Sequence, residues 1–321
     1  MSPRRPHSRP YRGWRWVLPL AIGLFVAGAA TSEEPPAAAE PPAAAELAAA
    51  AELAEGDVLI DVGGHHLRAR ILGDGGPTVV FDTGYGDGLD RWGPVPQRIA
   101  SVRRVVLYDR AGYGQSELGP TPRTAERVAA ELHALLQGLE LDPPYVLVGH
   151  SLAGIHLRAF AHHYPDEVAG LIFLDVTIEG MFESLFSEEG RAHYESLVAD
   201  YPPGLRDEGL GFYHKLVALP TFEVPSPPVP AVVITAAAEP HIPPEARAEA
   251  EAAGITEELL REQRTLKLEL GAMLAEKFSA NHVLAEESGH YVHHDEPDLV
   301  TAEILAILEA VGDPGEEIGE R

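Results

Sequence analysis

The chain has no cysteine among its 321 residues. That excludes disulfides, thiolate metal centres, a cysteine nucleophile and lipid modification at an N-terminal cysteine. Positive charge is scarce too. Lysine and arginine total 24 against 50 aspartates and glutamates, a formal net charge of −26; such a surface repels a phosphate backbone, so nucleic acid is not an expected partner. Long apolar runs are missing as well. The main N-terminal one, residues 17–30, is broken by Pro19 and is short for a bilayer span, which needs about 20 residues. What the chain does hold is 45% apolar residues, enough for a sizeable core in one large domain or two small ones.

That short apolar run follows Arg4, Arg5, Arg9, Arg12 and Arg15, with no acid among them, and ends near the small residues Ala27-Gly28-Ala29. A basic start, an apolar centre and a small-residue site form a secretory signal peptide. With Trp14 and Trp16 at the interface, the same residues 1–29 could instead stay as an N-terminal membrane tether. Either way the expectation is export, to the periplasm, the exterior or the membrane surface. Residues 30–55 are mainly Ala, Pro and Glu, with P-P-A-A-A-E occurring twice; so little bulky apolar side chain cannot offset ordering entropy, and a linker is expected. The folded domain is expected over residues 56–312, with a tail at 313–321.

Within the domain, Val58, Ile60 and Val62 alternate with Leu59 and Asp61, and Gly63-Gly64 turns the chain into residues 65–72, the pattern of an antiparallel hairpin. Apolar runs without alternation at 78–81, 145–148 and 170–174 predict strands buried on both faces, and 105–108, 231–235 and 282–285 read as further strands. Helical spacing predicts helices at 124–139, 152–163, 245–276 and 297–311; in the first, Val128, Leu132, Leu135, Leu136 and Leu139 recur at three and four. Residues 177–228 break this alternation. Strands alternating with helices after a hairpin imply an α/β fold: a mostly parallel central sheet flanked by helices, with an inserted cap at about 177–228. Ligands of such sheets bind beyond the carboxyl ends of the strands. Tyr85, Ser151, Asp175, Glu239 and His290 all follow predicted strands and are expected to converge on one edge.

The stretch from Tyr145 to Gly154 reads Y-V-L-V-G-H-S-L-A-G. A serine between a buried strand and a helix, with small residues two before and two or three after, describes a nucleophile elbow. The usual spacing is G-x-S-x-G; here Ala153 takes the fifth position and the glycine is displaced to Gly154. Alanine is small enough for the close approach that the turn requires.

On these residues the chain resembles the α/β-hydrolase superfamily, over nearly all of residues 57–312. V-L-V-G-H-S-L-A-G looks like its elbow, V-V-F-D-T-G-Y-G-D like its oxyanion strand and loop, V-V-L-Y-D-R-A-G-Y-G-Q-S like the segment before the elbow, and E-E-S-G-H-Y-V-H-H-D-E-P like its histidine loop. The resemblance implies an esterase- or lipase-like serine hydrolase in which Ser151 is the nucleophile, His290 its base, and the backbone N–H groups of Tyr85 and Leu152 the oxyanion hole. For the acid it leaves two positions open: Glu239, nine residues after Pro230, and Asp175, at the end of the preceding strand. It implies neither metal nor cofactor. His290, His293, His294 and Asp295 are metal-ligand types, but a loop-to-helix turn there would aim only some of them at one point. Asp109-Arg110 is expected to be a buried structural pair.

The substrate class expected is a small molecule with a carboxylic ester or related acyl bond. His150, Phe182 and Phe186 are candidate substrate contacts, with Leu185, Phe212 and Tyr213 adding apolar surface from the cap. A serine argues against the haloalkane and epoxide hydrolases of the resembled superfamily, which attack with aspartate. The same triad also serves carbon–carbon hydrolases, perhydrolases and peptidases, and a non-catalytic envelope-binding module is the alternative from another class.

Overall fold

Residue alternation in the strands decides how the layers form. In the computed structural model, which describes residues 56–182, 188–226, 228–252 and 255–312, the chain runs β1 (Asp57–Asp61), β2 (His66–Leu72), β3 (Val79–Asp82), α1 (Val95–Ala100), β4 (Val105–Tyr108), α2 (Ala125–Gly138), β5 (Tyr145–His150) and α3 (Ala153–His163). It continues through β6 (Val168–Leu174), the cap helices α4 (Glu188–Val198) and α5 (Pro203–Ala218), β7 (Ala231–Ala236), α6 (Arg247–Ala252), α7 (Glu257–Phe278), β8 (Asn281–Ala285), α8 (Val292–Asp295) and α9 (Pro297–Val311). The expected signal peptide or anchor, the linker, the tail, Leu185 and Phe186 lie outside the described residues.

The strands form one sheet in the order β1-β2-β4-β3-β5-β6-β7-β8. β1 pairs with β2, and β2 with β4, antiparallel; all later pairs are parallel. Side chains alternate across a strand, so Val79, Phe81, Val146, Val148, Ile172, Leu174, Val232 and Ile234 enter one apolar cluster, with Val95 and Ile99 of α1 and Val300 and Ile304 of α9. Val80, Leu147, Leu171, Phe173 and Val233 enter the other, with residues of α2, α3 and α7. Both faces are covered, which is why these strands read as unbroken apolar runs. α2 begins at a Thr124 cap whose side chain accepts from the Arg127 N–H, satisfying one of the orphan donors of the first turn.

Parallel pairing fixes the site's location. In register, Asp82 of β3 stands beside Gly149 of β5, His150 beside Leu174 of β6, and Ala236 of β7 beside Ala285 of β8. The segments leaving these strands therefore start at one edge of the sheet.

The helices differ from the sequence-based expectation in α1, in the division of 245–276, in the four-residue α8, and in the cap, where α4 and α5 occupy a segment read only as an interruption. α1 is absent from that expectation because six residues starting V-P-Q-R give too short a window for helical periodicity. The predicted helix 245–276 divides into α6 and α7, and Thr256 caps α7 by accepting from the Leu259 N–H.

Candidate active site

The elbow is built by backbone geometry. Ser151 has φ +55°, a left-handed conformation that costs a non-glycine residue roughly 1–2 kcal/mol. It is held by hydrogen bonds on both sides: its N–H donates to Leu174 O at 3.1 Å and its carbonyl accepts from Thr177 N at 2.9 Å. The small residues around it each have a reason. A Cβ on Gly149 would lie 2.9 Å from the Leu157 side chain, and one on Gly154 would run into Val176. The close backbone approach falls at residue 154, and this explains why Ala153 is accommodated and why the glycine is displaced.

Asp175 occupies the matching position just past β6, also at positive φ (+45°). Its N–H donates to Ile234 O at 2.7 Å, and its Oδ1 accepts from Ala236 N at 2.9 Å. Oδ2 accepts from His290 Nδ1 at 2.7 Å and from Lys267 Nζ at 2.9 Å. Burial alone would raise this carboxyl, but Lys267 and the His290 hydrogen bond outweigh it and hold the group lowered to about 2. An ionised carboxylate can only accept, so His290 Nδ1 carries the proton, and in the neutral ring Nε2 is left with its lone pair.

Glu239 does not reach His290. It lies on the surface, where its Oε1 accepts from Arg261 Nε at 2.9 Å. Of the two acids left open, the structure places Asp175 and not Glu239 against His290, and the reason is local. After β7, Ala237 N bonds Ala285 O and Ala238 N bonds Ser288 O, so the chain follows the end of β8 and has turned outward by residue 239.

Ser151, His290, Asp175, Leu152 and Tyr85 line one cavity of about 700 Å³, part of it open to solvent, together with Met181, Phe182, Tyr194 and Phe212. The N–H groups of Tyr85 and Leu152 meet no acceptor among the described residues. Gly84 lets the Tyr85 loop press on the elbow: a Cβ there would stand 3.2 Å from Ser151 Cβ and 3.1 Å from His150 Nδ1. Phe182 is in the wall as expected, Phe186 lies outside the described residues, and Tyr213 is not among the lining residues.

His150 lines the cavity, but its bonding is to the protein. Its Nε2–H donates to His290 O at 2.9 Å, and its ring packs against Trp92, Tyr291 and His293. Burial, with His290 and His293 nearby, pushes it well below the usual histidine range. It is a neutral prop for the histidine loop. The other metal-type residues diverge: His293 packs on Trp92, His294 Nε2 bonds Arg91 O, and Asp295 accepts from Gly289 N. Among the described residues no group of three or more such side chains is placed to hold a metal ion.

Behind the Tyr85 loop lies a buried charge network. Arg110 Nη1 donates to Asp82 Oδ1 and Thr83 O, its Nη2 to Gly84 O and Glu208 Oε2, and its Nε to Glu208 Oε1, all within 2.9 Å. Lys215 Nζ donates to Glu208 Oε1 at 3.0 Å. Two carboxylates and two cations balance, so no buried charge is left alone. Asp109 and Arg110 are both buried as expected, but they serve different partners: Asp109 accepts from Leu89 N and Arg68 Nη1. Glu208 belongs to the cap, as does Leu205, whose carbonyl accepts from Tyr85 Oη at 2.8 Å. The cap and the Tyr85 loop are thus one fastened unit. Glu208, Lys215 and Lys267 escaped sequence reasoning, because a charged residue on a helix carries no mark of the face it will occupy.

The fold agrees with comparisons to known proteins. Residues 77–197 match a family model described as the alpha/beta hydrolase fold. YqjL, an uncharacterized protein of Bacillus subtilis, is 27% identical over 243 residues, covering 75% of this chain and 87% of YqjL. YbdG from the same organism is 30% identical over 120 residues, and the chain spans only 37% of its length. Among solved structures, a thermophilic esterase from Thermogutta terrifontis is similar with a TM-score of 0.55 at 22% identity, covering 79% of this chain and 98% of that one. An enol-lactonase from Burkholderia xenovorans gives 0.55 at 18% identity, covering 78% and 100%.

Proposed function

We propose that this chain, which has the α/β-hydrolase fold, is an exported serine hydrolase that cleaves a carboxylic ester by acyl transfer. One observation carries the reading: a serine on a left-handed turn shares a cavity with a histidine whose Nδ1 is fixed on a buried, ionised aspartate.

Serine is a poor nucleophile at its own pKa and needs a base. Ser151 Oγ attacks the carbonyl carbon as its proton passes to His290 Nε2, and the Asp175 carboxylate stabilises the imidazolium that results. The amides of Tyr85 and Leu152 take the oxyanion; losing one such donor typically costs about 10²–10³ in rate. The imidazolium then protonates the departing alcohol, and water repeats the sequence to release the acid and restore the serine.

Met181, Phe182 and Phe212 favour an apolar group within the substrate. Export rests on the basic and apolar character of residues 1–29. Labelling of Ser151 by a fluorophosphonate, with loss of p-nitrophenyl ester turnover in Ser151→Ala, tests the assignment.

A further inference from the structure

Lys267 is a charged neighbour of this triad that ester hydrolysis does not require. Its Nζ and His290 Nδ1 donate to the same oxygen of Asp175, and its side chain is 24% exposed and lines the cavity beside Met181, Phe182 and Phe212. An ammonium has three donors. Among the described residues Asp175 is the one acceptor that Lys267 meets, so two N–H groups are left for whatever fills the cavity.

The position is also costly for catalysis unless something offsets it. The negative charge of Asp175 stabilises the imidazolium formed on His290, and a cation on the same carboxylate cancels much of that effect. A ligand anion on Lys267 would restore one net negative charge to the trio of Asp175, Lys267 and ligand, so the histidine would become a stronger base when the substrate is in place. Of the other groups lining the cavity, Asp87 is the one further acid, and it is paired with Arg91 at 3.3 Å. Burial shifts Asp87 toward its neutral form despite Arg91 beside it, burial keeps His150 uncharged, and Tyr85, Tyr194 and Tyr291 are phenols raised by burial.

We infer that the natural substrate is an ester or lactone that itself carries a carboxylate, bound by Lys267 while the scissile carbonyl rests on Ser151 and the apolar wall covers the carbon chain between. The inference rests on the serine-esterase reading above and narrows it to a substrate class. It also distinguishes Lys267 from a residue that merely steadies Asp175, because steadying would act on all esters alike.

The test compares mono-4-nitrophenyl glutarate with 4-nitrophenyl valerate, which share an acyl chain length, and 4-acetoxybenzoate with phenyl acetate, which put the charge on the alcohol side. With the full chain, kcat/KM should favour the anionic member of at least one pair by about tenfold or more, the size of one charge-assisted hydrogen bond. Lys267→Met should bring that ratio to one or below, whatever happens to the neutral ester, and Lys267→Arg should keep the preference. No anionic preference in either pair would overturn the proposal. So would a preference that Lys267→Met leaves unchanged. Fluorophosphonate labelling and neutral-ester turnover report on the serine esterase separately: both present with no anionic preference removes only this inference, and both absent removes the esterase as well.

Discussion

At the scale of single residues, the question the sequence left open is which acid orients His290, and the two candidates differ in burial and in reach. Asp175 is buried, bonds His290 Nδ1 at 2.7 Å and is held at about 2, so it is ionised at any working pH. Glu239 is exposed and paired with Arg261. Asp175→Asn should lower kcat for a p-nitrophenyl ester by on the order of 10⁴, because an amide can leave the imidazole in the wrong tautomer; Glu239→Gln should stay within about twofold. Equal losses in the two variants would refute this assignment. The ambiguity had a physical source. Both acids follow a strand, and the backbone bonds of Ala237 and Ala238 that carry the chain outward from β7 are made to Ala285 and Ser288, far along the sequence. Ser151 and His290, by contrast, were legible because small residues around a serine and a histidine after a last strand are local patterns.

At the scale of elements, the displaced elbow glycine reflects where two segments touch. Val176, just past β6, packs where a Gly154 side chain would begin. Gly154→Ala should cost about 1–3 kcal/mol by overpacking, read from urea unfolding, with a fall in activity because Ser151 lies three residues away. Ala153→Gly, which restores the commoner spacing, should gain nothing and cost up to about 1 kcal/mol in helix propensity. A large gain from Ala153→Gly, or a neutral Gly154→Ala, would contradict this reading. Most elements could be read from the sequence because the inner parallel strands are buried on both faces and the longer helices show their period. The cap could be located only as an interruption. Its fastening through Glu208 to Arg110 and through Leu205 to Tyr85 joins residues about a hundred positions apart, and no local pattern encodes that.

At the scale of the whole molecule, buried histidines make acid the destabilising direction. Burial lowers His156 to about 4 and His293 to about 3 from an ordinary 6.5, so the unfolded chain binds more protons than the folded one as pH falls from about 6.5 toward 4. Stability should drop across that window, with a slope approaching about 1.4 kcal/mol per pH unit for each such imidazole. Asp175 and Glu179, both held at about 2, add a lower window: their contribution is present above the ordinary carboxylate range near 4 and is lost as pH falls through 2. The formal charge of −26 works the other way, since protonating surface acids relieves repulsion. Solvated carboxylates titrate at about 4, so above pH 5 the histidines should dominate. Urea unfolding at pH 7.5, 5.5 and 4.5 checks this, and constant or rising stability would contradict it.

All three scales meet at the hydroxyl of Ser151, whose reactivity, on the function proposed above, depends on the histidine, the aspartate and the docked cap together. Intact-protein mass spectrometry with peptide mapping, after brief exposure of the folded protein to a fluorophosphonate, reads that reactivity directly. One adduct on Ser151, lost on prior unfolding and slowed at least a hundredfold in Asp175→Asn, is the expected result. A folded protein that takes no label, or takes it at another residue, would mean that this serine is not a nucleophile.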